Sequence, residues 1–234
     1  IELGNQYSMV HIVITSAGTY NCLYSEIAGI SLDIVGEVNG ITLYFTPETV
    51  TSRFLFYNGR IHLESIAANR MVIRTAVGST LWCINCATSL VNVDVLNEIY
   101  VYGGELWIDA SRAVRVSTRN IYFRLRDTTL NNTENSPALS LVSSVSYLTG
   151  TISAVEDNAN GASAAAIFVQ GGLLTTAGNM TSLINANSGY LYGLQLSDCI
   201  GQLNNNMQTL LANGGSAGVI KLVNSCLITS TSNS

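Results

Sequence analysis

Short stretches in which apolar and polar residues alternate recur along the chain, and five of them superpose: Ile41-Thr-Leu-Tyr44, Ile61-His-Leu-Glu64, Leu81-Trp-Cys-Ile84, Ile99-Tyr-Val-Tyr102 and Ile121-Tyr-Phe-Arg124. Alternation with period two is the signature of a strand with one buried face. Their first residues lie 18 to 22 positions apart, and self-similarity at such a period marks stacked repeats. Ile41, Leu43, Ile61, Leu63, Leu81, Cys83, Ile99, Val101, Ile121 and Phe123 are predicted to point inward as two stacks. Thr42, His62, Trp82, Tyr100 and Tyr122 are predicted to point outward.

A second register, Ile73-Arg74, Val93-Asp94 and Val114-Arg115, gives each coil at least two strands. A β-sandwich offers no reason for stacked similarity, a propeller blade needs about twice this period, and no six-residue repeat supports a left-handed hexapeptide helix. The surviving expectation is an all-β, right-handed single-stranded parallel β-helix with coils of about 20 residues. It divides the chain into a cap or lead-in over 1–37, the β-helix over 38–226 and a polar tail over 227–234. Glycines at Gly40, Gly59, Gly103-Gly104, Gly171-Gly172, Gly189 and Gly214-Gly215 mark coil corners. Segments 131–137 and 156–163 read as loops, and Thr46-Pro47-Glu48 reads as a single helical turn.

Composition narrows the classes. Charged residues are 11% of the chain, against about a quarter in an average soluble domain, so part of the surface is expected to be covered or built of uncharged ladders. The net charge of −5 lacks the clustered positive charge that nucleic acid requires. No apolar run approaches the roughly 18 residues of a membrane span, so no membrane insertion is expected. The chain opens at Ile1 with no visible targeting peptide, which fits a processed product or a fragment. The five cysteines read as free thiols filling a core. Cys83 and Cys86 are predicted to face opposite sides of a strand, so neither a metal site nor a cofactor is expected.

Among residues that could carry chemistry, the outward aromatics dominate. Trp82, Tyr100 and Tyr122 form a predicted ladder, with Tyr102 and Arg124 alongside, and flat rings on a rigid sheet suit stacking on sugar rings. Stacked aromatics also stabilise neighbouring strands or fill a subunit contact. Asp94 is predicted to lie against Arg74 and Arg115, and Glu98 against Arg119. Glu105 with Asp109, and Asp94 with Glu98, are each about 13 Å apart along a strand, too far for a retaining glycosidase pair. Asp127, Glu156, Asp157 and Asp198 would have to converge from loops, and His11 and His62 show no nearby Ser and Asp. Catalytic residues are therefore not assigned. Gly218–Val223 and Ala164–Val169 are apolar on both faces, which predicts a second cover from a symmetry mate.

The coil register, the low charge and the Ser/Thr/Asn-rich loops, typified by the IYVYGGELWIDA coil, resemble the parallel β-helix of bacteriophage tailspikes and tail fibres within the pectate-lyase-like group. The resemblance spans roughly residues 38–226 and carries no catalytic motif. It implies a homotrimer on the virion surface or outside the cell, in contact with other virion proteins, that binds host-surface polysaccharide. Two alternatives are a polysaccharide lyase or glycoside hydrolase and a bacterial surface adhesin.

Overall fold

The structure is a computed structural model describing residues 9–22, 26–45, 53–75, 80–132, 137–212, 216–224 and 226–229. Every described element is a strand, and all the strand pairs whose registers are given below are parallel. Two compact units divide the chain, Ile1–Arg112 and Ala113–Ser234.

The first unit contains β1 (Met9–Ile14), β2 (Gly18–Cys22), β3 (Glu26–Ala28), β4 (Ser31–Gly36), β5 (Ile41–Phe45), β6 (Arg53–Tyr57), β7 (Arg60–Ser65), β8 (Met71–Thr75), β9 (Thr80–Val91) and β10 (Val93–Asp109). They form three ladders that the chain visits in rotation. The first is β1, β4, β7, then 87–91 of β9 and 104–109 of β10. The second is β2, β5, β8 and 93–95 of β10. The third is β3, β6, 80–84 of β9 and 99–102 of β10.

This rotation corrects the expected register. Ile41 belongs to the second ladder, Ile61 to the first, and Leu81 to the third, where its neighbours are Phe54 and Ile99. Segments 41, 61 and 81 each lie two strands further along the chain. All three have the same inward alternation, so strands from different ladders looked like copies of one coil. A full turn brings His11 to Asp33, Asp33 to His62, His62 to Ser89 and Ser89 to Trp107. Those steps are uneven: the one from Asp33 to His62 is the longest of the four and the one from Ser89 to Trp107 the shortest.

The variation lies in the corners. Between the first and second ladders the connection is 37–40 after β4 and 66–70 after β7, but Asn92 alone after β9. Asn92 has a left-handed backbone, φ 51°. Its Nδ2 donates to the carbonyls of Ser65 and Ala67 at 2.8 and 3.1 Å, satisfying backbone groups of the longer corner in the neighbouring coil.

The corner from the third ladder to the first carries a left-handed residue in each coil, Gly29, Asn58, Asn85 and Gly103, with φ of 66°, 53°, 52° and 69°, and Gly103 is followed by a second, Gly104, at 81°. Asn and Gly are the residues that tolerate this region. Asn85 Nδ2 donates to Asn58 Oδ1 at 3.5 Å, and a β-carbon at Gly103 would overlap Asn85 Oδ1. The left-handed Asn85 also reverses the strand's parity. Cys83 and Cys86 therefore both point inward, at 0% and 1% exposure, against the expectation of opposite faces.

The second unit contains β11 (Arg112–Arg119, whose first residue lies in the first unit), β12 (Tyr122–Arg126), β13 (Thr129–Asn132), β14 (Leu139–Ser197), β15 (Ile200–Ala212), β16 (Ser216–Val223) and β17 (Leu227–Thr229). β14 is not one straight strand. It pairs with β11, β12 and β13 near its start and with β15 and β16 further on, turning at left-handed Ser143, Gly150, Gly171, Gly172 and Gly178. Segment 156–163, expected as a loop, is extended within it, and Asn131 and Asn132 lie in β13. The coil step from β11–β13 to β14 is nearly constant, as in Tyr122 to Val145 and Thr129 to Ser153, and it lengthens from β14 onward, as in Leu173 to Ile200. The predicted turn at 46–48, loop residues 133–136 and the Gly214-Gly215 corner lie outside the described residues. β1 to β4 occupy the segment expected as a cap, and β17 lies in the expected tail.

Alternation predicts the core well. All ten residues expected to face inward, from Ile41 to Phe123, are buried. Each fully buried aliphatic or aromatic side chain contributes about 1.5–3 kcal/mol of transfer free energy. Asp94 pairs with Arg70, 3.5 Å from Oδ1 to Nε, while Arg74, expected against it, lies with its guanidinium carbon 5.8 Å from the Tyr44 ring centroid.

The corners generate a stability prediction. Gly172 has φ 78°, and a β-carbon there would collide with the Ser144 carbonyl oxygen of the neighbouring coil. Gly29, at φ 66°, has nothing within 4 Å of that position. Gly172→Ala is expected to lose about 1–3 kcal/mol in chemical denaturation, and more than Gly29→Ala, which suffers the backbone strain alone. Equal losses would show that the contact with Ser144 is relieved at no cost.

Candidate functional site

Two groups of outward side chains combine chemistry with rigid support in the first unit. On the third ladder, Leu81 and Cys83 anchor the strand inward, so Trp82 projects outward beside its register partner Tyr100. The two rings are 4.4 Å apart at 44° and half-buried. Tyr102, the next outward residue, is exposed and pairs in register with Ile84. A stacked pair of rings flanked by a phenol can lie against an apolar sugar face while the hydroxyl reaches its polar edge.

In the second unit, Tyr122 is half-buried, and Arg124 Nε and Nη2 both donate to its hydroxyl at 3.1 and 2.9 Å. The Arg124 guanidinium carbon lies 5.2 Å from the Tyr122 ring centroid, and the Tyr147 ring lies 5.4 Å from it at 47°. Tyr147 was not anticipated. Its register partner is Arg124, one coil earlier in the chain.

The second group in the first unit was missed entirely. Outward positions of the first ladder form a column of His11, Asp33, His62, Ser89 and Trp107. His11 Nδ1 donates to Asp33 Oδ2 at 2.7 Å, and His62 Nε2 donates to Glu64 Oε2 at 3.1 Å. His62 Nε2 is also 4.0 Å from Asp33 Oδ1, an oxygen enclosed by the protein and without a hydrogen-bond partner. The expectation that His11 and His62 lack a nearby Asp is thus overturned: Asp33 lies between them. The Asp33 carboxylate on Nδ1 orients the His11 ring. Trp107, at the end of the column, is 43% exposed.

The sequence does carry a signal for this column. Val10-His-Ile12, Leu32-Asp-Ile34, Ile61-His-Leu63, Thr88-Ser-Leu90 and Leu106-Trp-Ile108 each set one outward group between inward ones. Unequal steps hid it.

Among the described residues, no group of three or more His, Cys, Asp or Glu is arranged to hold a metal ion. No described helix is long and apolar enough to cross a membrane. Compared with family models, curated proteins and solved structures, the chain matches none.

The buried thiols give a pH dependence. Burial, reinforced by the neighbouring Cys86, pushes the Cys83 thiol from 9.0 up to about 12. The unfolded chain therefore releases this proton first, and stability falls as pH rises from about 9 towards 12. Urea denaturation across that window is expected to show a steeper decline in the wild type than in Cys83→Ala, whatever the variant's baseline. Parallel slopes would contradict the assignment.

Proposed function

We propose that this chain is the glycan-contacting part of a spike or fibre on a virion surface, folded as a right-handed parallel β-helix and assembled as a homotrimer. The observation that carries the reading is the Trp82–Tyr100 pair, held on adjacent strands with exposed Tyr102 alongside. Rings fixed by a backbone ladder lose little conformational freedom when a sugar docks, so more of the contact energy appears as affinity. Three ladders visited in rotation by parallel strands support the β-helix, and sparse charge favours stacking over ionic recognition. The resemblance to phage tailspikes supplies the virion and trimer elements of the proposal.

A glycan-array screen of the purified chain tests it. Trp82→Ala and Tyr100→Ala are each expected to weaken binding roughly tenfold, the equivalent of about 1.4 kcal/mol. Circular dichroism should remain that of the wild type, because both side chains lie outside the core. Undiminished affinity in both variants would refute the aromatic platform.

A second reading, depolymerisation of the bound glycan, is favoured by the carboxylates around His62. Asp33 Oδ1 and Glu64 Oε2 lie 4.0 and 3.1 Å from the same Nε2, which bounds their separation at about 7 Å. Two carboxylates some 5–10 Å apart suit acid–base cleavage of a glycosidic bond. A reducing-end assay on any glycan retained by the array is expected to show turnover that falls about 100-fold or more in Asp33→Asn and Glu64→Gln. A wild type that binds without releasing reducing ends would remove this reading and leave the first intact.

A further inference from the structure

The second unit contains a pair of thiols that the binding surface does not use. Cys199 and Cys226 follow corners whose left-handed residues, Asp198 and Asn224, stack on each other, with Asn224 Nδ2 donating to Asp198 Oδ2 at 3.0 Å. Beyond the corners the strands pair with Ile200 opposite Leu227, and the Leu227 amide donates to the Cys199 carbonyl at 3.1 Å. Both cysteines are free. Cys226 Sγ reaches the Leu196 carbonyl of the neighbouring coil at 3.4 Å. Neighbouring in-register strands are about 4.8 Å apart, inside the range of roughly 4.4–6.8 Å between α-carbons that a disulfide spans. An open pocket lined by Gly172, Asp198, Cys199, Ile200, Cys226 and Leu227 lets a small oxidant approach this pair of residues, of which Cys226 is the more exposed.

We propose that Cys199 and Cys226 are a modification site, closing to a disulfide that ties β17 to β15 when the chain meets a disulfide oxidant such as oxidised glutathione. The thiolate of Cys226, the more exposed of the two, attacks one glutathione sulfur and expels the other as glutathione thiolate. Cys199 then loses its proton to solvent and displaces the second glutathione from Cys226. Two protein thiols are oxidised and one glutathione disulfide is reduced to two glutathiones. Burial raises the Cys199 thiol to about 12, so it enters second and slowly. Cys83 and Cys86 are buried in the first unit and do not line this pocket, so they stay reduced.

Among the described residues, three register pairs hold β17 to β15: Ile200 with Leu227, Gly201 with Ile228 and Gln202 with Thr229. A covalent tie at Cys199 sits next to the first of these. Parting β17 from β15 at this point then requires breaking the bond.

The test is peptide mapping under non-reducing conditions after equilibration of the native chain with oxidised glutathione, followed by alkylation in denaturant. The expected result is one cross-link joining the peptides that contain Cys199 and Cys226, with Cys83 and Cys86 alkylated. The oxidised chain should also be cut by protease beyond Cys226 about tenfold more slowly than the reduced chain. Cys226→Ser should lose this redox dependence, and the wild type with and without reductant gives the same comparison should that variant fail to fold. Alkylation of both thiols, or glutathione retained on Cys226 beside an alkylated Cys199, would overturn the proposal.

Discussion

In-register stacking of parallel strands constrains everything else in each unit. A residue that points inward in one coil must meet an inward residue in the next, or a one-residue slip would carry the apolar set to the surface. Corners must therefore turn the chain sharply without losing register, and a single left-handed residue does this. Asn58, Asn85 and Gly103 occupy that position in successive coils of the first unit. Asn120, Ser143, Gly171, Asp198 and Asn224 recur in the same way in the second. Four of those five are not glycine. They accept backbone strain of about 1 kcal/mol or more, and the side-chain contact between Asn224 and Asp198 offsets part of it, as the contact between Asn85 and Asn58 does in the first unit.

That constraint explains what was legible in the sequence. Inward parity was, because it is local: Leu43, Leu63, Cys83, Val101 and Phe123 are buried as alternation requires. The coil length was not, because it is set by corners whose size changes from the whole of 66–70 to Asn92 alone. Three strands per turn, each with the same alternation, also make a strand resemble its neighbour along the chain as closely as its neighbour in space. Cys86 shows the local limit of parity arguments. Counting from Cys83 fails as soon as one left-handed residue, Asn85, intervenes.

The same geometry decides which chemistry a sequence reader can see. Trp82 and Tyr100 were recognisable as a pair because the step between them fell near the assumed period. The column of His11, Asp33 and His62 was not, because the step from Asp33 to His62 far exceeds that period. Long-range proximity in a stacked fold is a sum of corner lengths, and no residue type announces how long its corner will be. Arg74 illustrates the cost of a wrong step: it stacks against Tyr44, its true register neighbour, rather than pairing with Asp94.

The aromatic pair and the histidine column lie on different ladders, yet one piece of backbone joins them. Along β10, Tyr100 and Tyr102 point outward on the third ladder, Gly103 and Gly104 turn the corner with φ of 69° and 81°, and Glu105 and Trp107 point outward on the first. A side chain at Gly103 would displace Asn85, and one at Gly104 would strike the backbone of Cys86, so the corner stays bare of side chains. Exposed Tyr102 and Trp107 therefore lie on either side of a corner of bare backbone, with the Trp82–Tyr100 pair on the ladder of the first and the Ser89–His62–Asp33 column on the ladder of the second. The glycines that permit the turn also keep the backbone between the two groups uncovered, so one local constraint, the left-handed corner, governs both the register of the strands and the spacing of the side chains they carry.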